Sequence, residues 1–239
     1  MRMTKKMLSL AIAGIMIGAL HSPAFAEYFE GGTGIAHGKD HAYFLTAPDG
    51  WVLDTSCGAE QGLYCCFYPK GSNWNGPVVM YSNAAAKESL TLEQAIEKDV
   101  ETFREKSPKV KVDDAGTLTT SDGKKALVRN FTGDKWANHE AVGYVGEDKV
   151  VVNIVLTARK KDDYKGALPA FHKLVESYKF ITDKPELVDL YDLASKAKPG
   201  GVVDLNKVIE QIEQKDSVSE KKEPEQKESE PVKILRDDF

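Results

Sequence analysis

The chain has 239 residues, 29% of them charged, with 37 acidic against 32 basic side chains and a formal net charge of −5. That balance excludes an electrostatic hold on nucleic acid or anionic lipid, both of which need clustered positive charge. A chain of this length buries a core large enough to fold without a metal or a disulfide framework.

Arg2, Lys5 and Lys6 precede an apolar run from Leu8 to Leu20, and Ala24-Phe25-Ala26 follows with the small-x-small pattern of a cleavage site. The run is short for a membrane span. Residues 1–26 therefore read as an export signal cut after Ala26, and without its three cations the formal charge becomes −8. No cysteine stands just after the cut to carry a lipid. The expectation is a soluble protein of the bacterial periplasm with no integral membrane span and no nucleic-acid partner. Residues 27–39 are glycine-rich and read as a loose leader; Gly31-Gly32-Thr33-Gly34 has no strand before it and no helix after it, so it does not support a phosphate cradle.

The expected globular domain covers residues 40–183. His41 to Ala47 and Trp51 to Cys57 read as a hairpin about Pro48-Asp49-Gly50, which supplies the fixed φ and the φ > 0 position of a tight turn. Leu63 to Tyr68 is the next strand, and a polar loop carrying Trp74 leads to another at Pro77 to Asn83. Thr91 and Gln94 have the spacing of a capping box, and Leu92, Ile96, Val100 and Phe103 then form one helical stripe that Pro108 ends. Leu118 to Thr120 and Lys125 to Phe131 read as a hairpin about Asp122-Gly123. Glu140 to Val145 turns at Gly146-Glu147-Asp148 into Val150-Val151-Val152-Asn153-Ile154-Val155-Leu156. In that last run both parities are apolar, so both faces of the strand require cover. A helix capped by Asp162 or Asp163 follows, with Tyr164, Leu168, Phe171, Leu174, Val175 and Tyr178 on its apolar side; Pro169 either kinks it or marks its first turn. These elements predict an α+β fold, an antiparallel sheet sandwiched between helices in an α/β/α arrangement.

Residues 184–215 read as two short amphipathic helices, the first striped by Leu187, Leu190, Tyr191 and Ala194, the second by Leu205, Val208, Ile209 and Ile212. Residues 216–239 are a mixed-charge tail too polar, through most of its length, to offset the entropy of ordering.

Ala47-Pro48-Asp49-Gly50-Trp51, the Gln61-Gly62-Leu63 turn into Phe67-Tyr68-Pro69, the capped helix at Leu92 and the closing Leu174-Val175-Glu176-Ser177-Tyr178-Lys179-Phe180 together resemble the PsbP-like superfamily. That group includes thylakoid-lumen PsbP proteins, periplasmic DcrB-like proteins and a Ran-binding import factor. The resemblance spans roughly His41 to Ile181. It implies an antiparallel sheet between helices and a role in binding other proteins, with no shared catalytic set and no cofactor to carry over.

Cys57, Cys65 and Cys66 are disulfide candidates in an oxidising compartment, with Cys57 placed to bridge to either neighbour and one thiol left over. The rival use of Cys65 or Cys66 is as nucleophile of a small hydrolase or thiol enzyme, helped by a histidine. His37 and His41 are four apart, but Gly34 and Gly38 break the helix that a shared metal requires, and no metal is expected. Trp74 and Trp136 stand in loops where no core pattern demands a large ring, whereas Trp51 belongs to the core. The expected function is a non-catalytic exported binding or assembly factor holding a protein partner. The contact candidates are Trp74, Trp136, the adjacent Asn138, and Leu205, Ile209 and Ile212 of the C-terminal stripe. Small-ligand carriage between sheet and helix is the remaining alternative.

Overall fold

The computed structural model describes residues 28–55, 57 and 63–189. In chain order the elements are β1 (Tyr28–Glu30), β2 (Thr33–Gly38), β3 (His41–Thr46), β4 (Trp51–Asp54), β5 (Tyr64–Pro69), β6 (Val78–Ala86), α1 (Leu92–Lys106), β7 (Lys111–Thr119), β8 (Lys125–Thr132), β9 (His139–Gly146), β10 (Val150–Ala158), α2 (Lys161–Glu176) and β11 (Lys179–Thr182). A short 3-10 turn, Pro185–Leu187, follows with Pro185 in its first turn. Among the described residues the strands form an antiparallel sheet in the order β1-β4-β5-β6-β10-β9-β8-β7 and a smaller one in the order β11-β3-β2.

The two-sided apolar run is the heart of the large sheet. β10 lies between β6 and β9, paired along its full length with β6. Val152, Ile154 and Leu156 are buried with Phe171, Leu174 and Val175 of α2, while Val151 and Val155 are buried with Ile96 and Val100 of α1. Each such side chain, once buried, contributes about 1.5–3 kcal/mol. A helix therefore covers each face of this strand, as the absence of apolar–polar alternation required.

The helix starts show two different local solutions. At α1 the capping box forms as read: the Gln94 N–H donates to Thr91 Oγ1 at 3.2 Å and the Thr91 N–H to Gln94 Oε1 at 2.9 Å. At α2 the expected aspartate cap is replaced by Lys160, whose side chain makes no capping bond. Asp162 and Asp163 lie in the first turn, where carboxylates favour the partial positive charge of the helix end. Pro169 sits inside α2 on its exposed side.

Two expectations change in the N-terminal third. Residues 28–30 and 33–38, read as loose leader, are strands β1 and β2, paired with β4 and β3. Gly34 is the physical reason: a Cβ there would stand 2.9 Å from Leu53 Cδ2 and 3.0 Å from Cys65 Sγ, so a glycine lets β2 lie directly on β4 and β5. The second change concerns the hairpin expected about residues 48–50. The turn forms, with the Trp51 N–H donating to the Pro48 carbonyl at 3.0 Å and Gly50 at φ +76°. It carries the chain from β3 in the small sheet to β4 in the large one, because β3 is taken on its two edges by β2 and β11. The layer facing α2 is thus completed by a second sheet: Tyr43 and Leu45 of β3 join Phe67, Met80 and Phe171 in one core.

Candidate functional site

Strand register determines which loops share an end of the sheet. Val78, where β6 begins, is opposite Ala158; Ala158 is opposite His139, where β9 begins; His139 is opposite Thr132, where β8 ends. The 70–77 loop and the 133–138 loop therefore emerge at the same rim, three strand spacings or about 14 Å apart. Trp74 and Trp136, singled out separately in the sequence, are brought to one edge of the molecule.

The two rings are used differently. Trp74 is half-buried and meets Tyr81 edge-on, with ring centroids 5.9 Å apart and an interplanar angle of 79°. Its loop is braced by the Ser72 N–H to Pro69 carbonyl and Gly76 N–H to Asn73 carbonyl bonds, both 2.9 Å. Trp74 thus folds back onto β6, a strand between β5 and β10. Trp136 is 61% exposed, and it is the exposed large hydrophobic side chain among the described residues.

The loop that displays Trp136 is built around one buried carboxylate. Asp134 Oδ1 accepts the Trp136 N–H at 3.1 Å and the Asn138 N–H at 2.7 Å, and Oδ2 accepts Asn138 Nδ2 at 3.3 Å. Its backbone carbonyl accepts the Ala137 N–H at 3.1 Å. Ser107 Oγ, at the end of α1, accepts the Lys135 N–H at 3.3 Å and ties the loop to the helix. Gly133 at φ +77° and Ala137 at φ +60° make the two sharp bends. Charge-assisted bonds of this kind are stronger than neutral ones, so the loop is fixed before any partner arrives. Lys135 Nζ lies 4.2 Å from the Trp136 ring centroid, a cation–π contact that orders the ring on the surface.

Asn138 is thereby placed as a brace of this loop, its side chain turned to Asp134. Leu205, Ile209 and Ile212 lie outside the described residues, as do the export signal and the tail. Asp134, the organiser of the loop, was not singled out from the sequence. The available signal was an Asp two residues before the tryptophan, the spacing at which its carboxylate accepts a backbone N–H.

The cysteines and histidines do not assemble a reactive centre among the described residues. Cys57 is bonded to Cys66, which leaves Cys65 free and buried. Burial pushes the Cys65 thiol up to about 12, so it carries no thiolate at neutral pH. Gly38 is opposite His41 and His37 opposite Ala42, so the two imidazoles occupy opposite faces of the β2–β3 hairpin. Burial is the main cause that lowers the His41 pKa, with the His37 charge adding to it. No three His, Cys, Asp or Glu side chains come together as a metal site among the described residues. No described helix is long and apolar enough to cross a membrane.

No protein-family model matches the sequence, and no curated protein matches it. Among solved structures the chain is similar to cyanobacterial PsbP (CyanoP) from Synechocystis sp. PCC 6803, at 14% identity and a TM-score of 0.42 over 63% of this chain and 93% of that one. It is also similar to LpqN of Mycobacterium tuberculosis, described as involved in cell envelope biogenesis, at 16% identity and a TM-score of 0.46 over 62% of this chain and 90% of that one.

Proposed function

We propose that this chain is an exported, non-catalytic binding or assembly factor that holds a protein partner through the Trp136 loop. The observation that carries the reading is a large aromatic ring, 61% exposed, on a loop whose backbone is already ordered by Asp134. Tryptophan is enriched among the residues that dominate interface energies, and a loop already ordered loses little entropy on docking. Two further features support it. The Cys57–Cys66 bridge fits an oxidising compartment, consistent with the N-terminal export pattern. A bonded Cys66 and a buried Cys65 offer no nucleophile to the thiol-enzyme alternative.

The test is site-specific photo-crosslinking in cells, with the probe at Lys135 beside the ring and, as control, at the exposed Lys165 on α2. A single partner is expected to crosslink from position 135 and not from 165. Trp136→Ala should abolish that adduct and weaken the purified complex by about 30-fold, the equivalent of a 2 kcal/mol hot spot. The same change should leave stability within about 0.5 kcal/mol, as for other surface substitutions. Equal crosslinking from both positions, or an adduct indifferent to Trp136→Ala, overturns the reading.

A further inference from the structure

Around Trp136 the fold gathers positive charge from separate segments. Lys111, where β7 begins, is opposite Thr132, and Thr132 is opposite His139, so the start of β7 stands at the same rim as the 133–138 loop. Lys106 ends α1, and the turn that follows, closed by the Val110 N–H on the Ser107 carbonyl at 3.0 Å, carries Lys109. This turn lies against the loop: Ser107 Oγ accepts the Lys135 N–H, and a Cβ on Gly133 would stand 3.3 Å from the Lys109 carbonyl oxygen. Lys106, Lys109, Lys111 and Lys135 are all exposed. Arg159 and Lys160 extend the row, since Ala158 is opposite His139.

None of these cations pairs with a carboxylate among the described residues. Within residues 106–111 and 133–138 the acidic residue is Asp134, which is buried with both oxygens taken by its own loop. Glu105 and Asp113 flank these segments and weaken the field without pairing with any of the lysines. Asp162 and Asp163, in the first turn of α2, offset the Arg159-Lys160 end, which leaves the four lysines around the ring as the centre of the patch. The opposite rim mixes signs, with Lys124 paired to Glu147 and Lys149 to Asp183 at 3.0 Å. A chain of net charge −5 thus keeps a net positive field around its exposed tryptophan.

The patch is small, and its size selects among anionic partners. Charges are screened over about 8 Å at physiological ionic strength. A nucleic acid extends well beyond that distance and meets the acidic remainder of the surface, whereas a short acidic segment of a protein meets the lysines alone. A bilayer would have to receive the ring together with the Lys135 ammonium held 4.2 Å from its centroid, at the cost of desolvating that charge. We propose that the partner held at this rim is an acidic protein segment, with an apolar side chain on the free face of Trp136 and carboxylates on Lys109, Lys111 and Lys135. The inference rests on the reading that the Trp136 loop docks a protein. The indole supplies most of the affinity, and the exposed lysines supply the rate of encounter and the choice of partner.

The full chain, labelled with 15N, is titrated with a short peptide of two leucines set between glutamates, and with the same peptide carrying glutamine for glutamate. Saturable shifts at Lys109, Lys111, Lys135 and the Trp136 indole are expected for the acidic peptide, with a dissociation constant of about 1 mM or below. The glutamine peptide should bind at least about 10-fold more weakly, and so should the acidic peptide when sodium chloride rises from about 0.05 to about 0.5 M. Lys109→Glu combined with Lys135→Glu should abolish the shifts, while Lys125→Glu at the opposite rim should leave them unchanged. Equal affinity for the two peptides marks a purely apolar contact and overturns the proposal. So does the absence of saturable shifts at about 10 mM peptide, and so does tighter binding of a short DNA duplex or of phosphatidylglycerol vesicles. The crosslink from position 135 in cells separates the two readings: no adduct sinks the docking loop itself, whereas a Trp136-dependent adduct indifferent to Lys109→Glu and Lys111→Glu sinks only the acidic partner.

Discussion

Adjacent cysteines in a strand cannot share a fate, because successive side chains leave opposite faces. Cys66 is opposite Tyr81 and faces the α1 side, where it meets Cys57. Cys65 turns the other way into the core with Leu53 and Phe67. A bulge between Tyr64 and Cys66 accompanies this, with Cys65 at φ +47°, a conformation that costs a non-glycine residue about 1–2 kcal/mol. The left-over thiol is therefore a packed core group. At pH 8, iodoacetamide should leave Cys65 unmodified in the native protein and alkylate it fully in guanidinium, as read by intact mass. Rapid modification without denaturant would show that the thiol is reachable and revive a chemical role for it.

At the scale of elements, β2 carries the sharpest consequence. Its glycines resemble linker composition, yet Gly34 is buried and its missing Cβ is what allows contact with Leu53 and Cys65. Overpacking of this kind costs about 1–3 kcal/mol, so Gly34→Val should lower Tm by several degrees without altering the far-UV spectrum. An unchanged Tm would mean that β2 does not press on the large sheet. The helices divide along the same line between local and distant causes. The start of α1 is set by its own Thr91 and Gln94, whereas α2, with no side-chain cap, depends on burying Phe171, Leu174 and Val175 against β10 and β9.

For the molecule as a whole, two carboxyls shape the response to pH. Glu140, on β9, accepts a hydrogen bond from Thr157 Oγ1, and Glu147, in the following turn, accepts from Lys124 Nζ and Tyr178. Burial raises both above their usual value of 4.5, against the opposing pull of those bonds. A carboxyl whose folded pKa is raised binds more protons in the folded state. Its contribution to stability is therefore greatest below pH 4.5 and is lost as pH rises through the folded value. Glu140→Gln removes the buried charge and keeps an acceptor for Thr157. The Tm of the variant relative to the parent should rise progressively from pH 4.5 to 7. A constant difference across that interval would show that Glu140 titrates alike in both states.

Several features of this molecule are written locally. The two-faced strand at Val150 to Leu156, the capping box at Thr91, the Asp122-Gly123 hairpin and the core position of Trp51 follow from periodicity, spacing and backbone preference within a few residues, and each appears in the structure as read. The division of β3 and β4 between two sheets, the choice of Cys66 as partner of Cys57, the inward Trp74 against the outward Trp136, and the meeting of Lys109 with the Trp136 loop were decided only by tertiary structure. Each depends on which distant segments meet, and the free energy of such a meeting comes from surfaces buried between strands far apart in the chain, a quantity that no short window of residues contains.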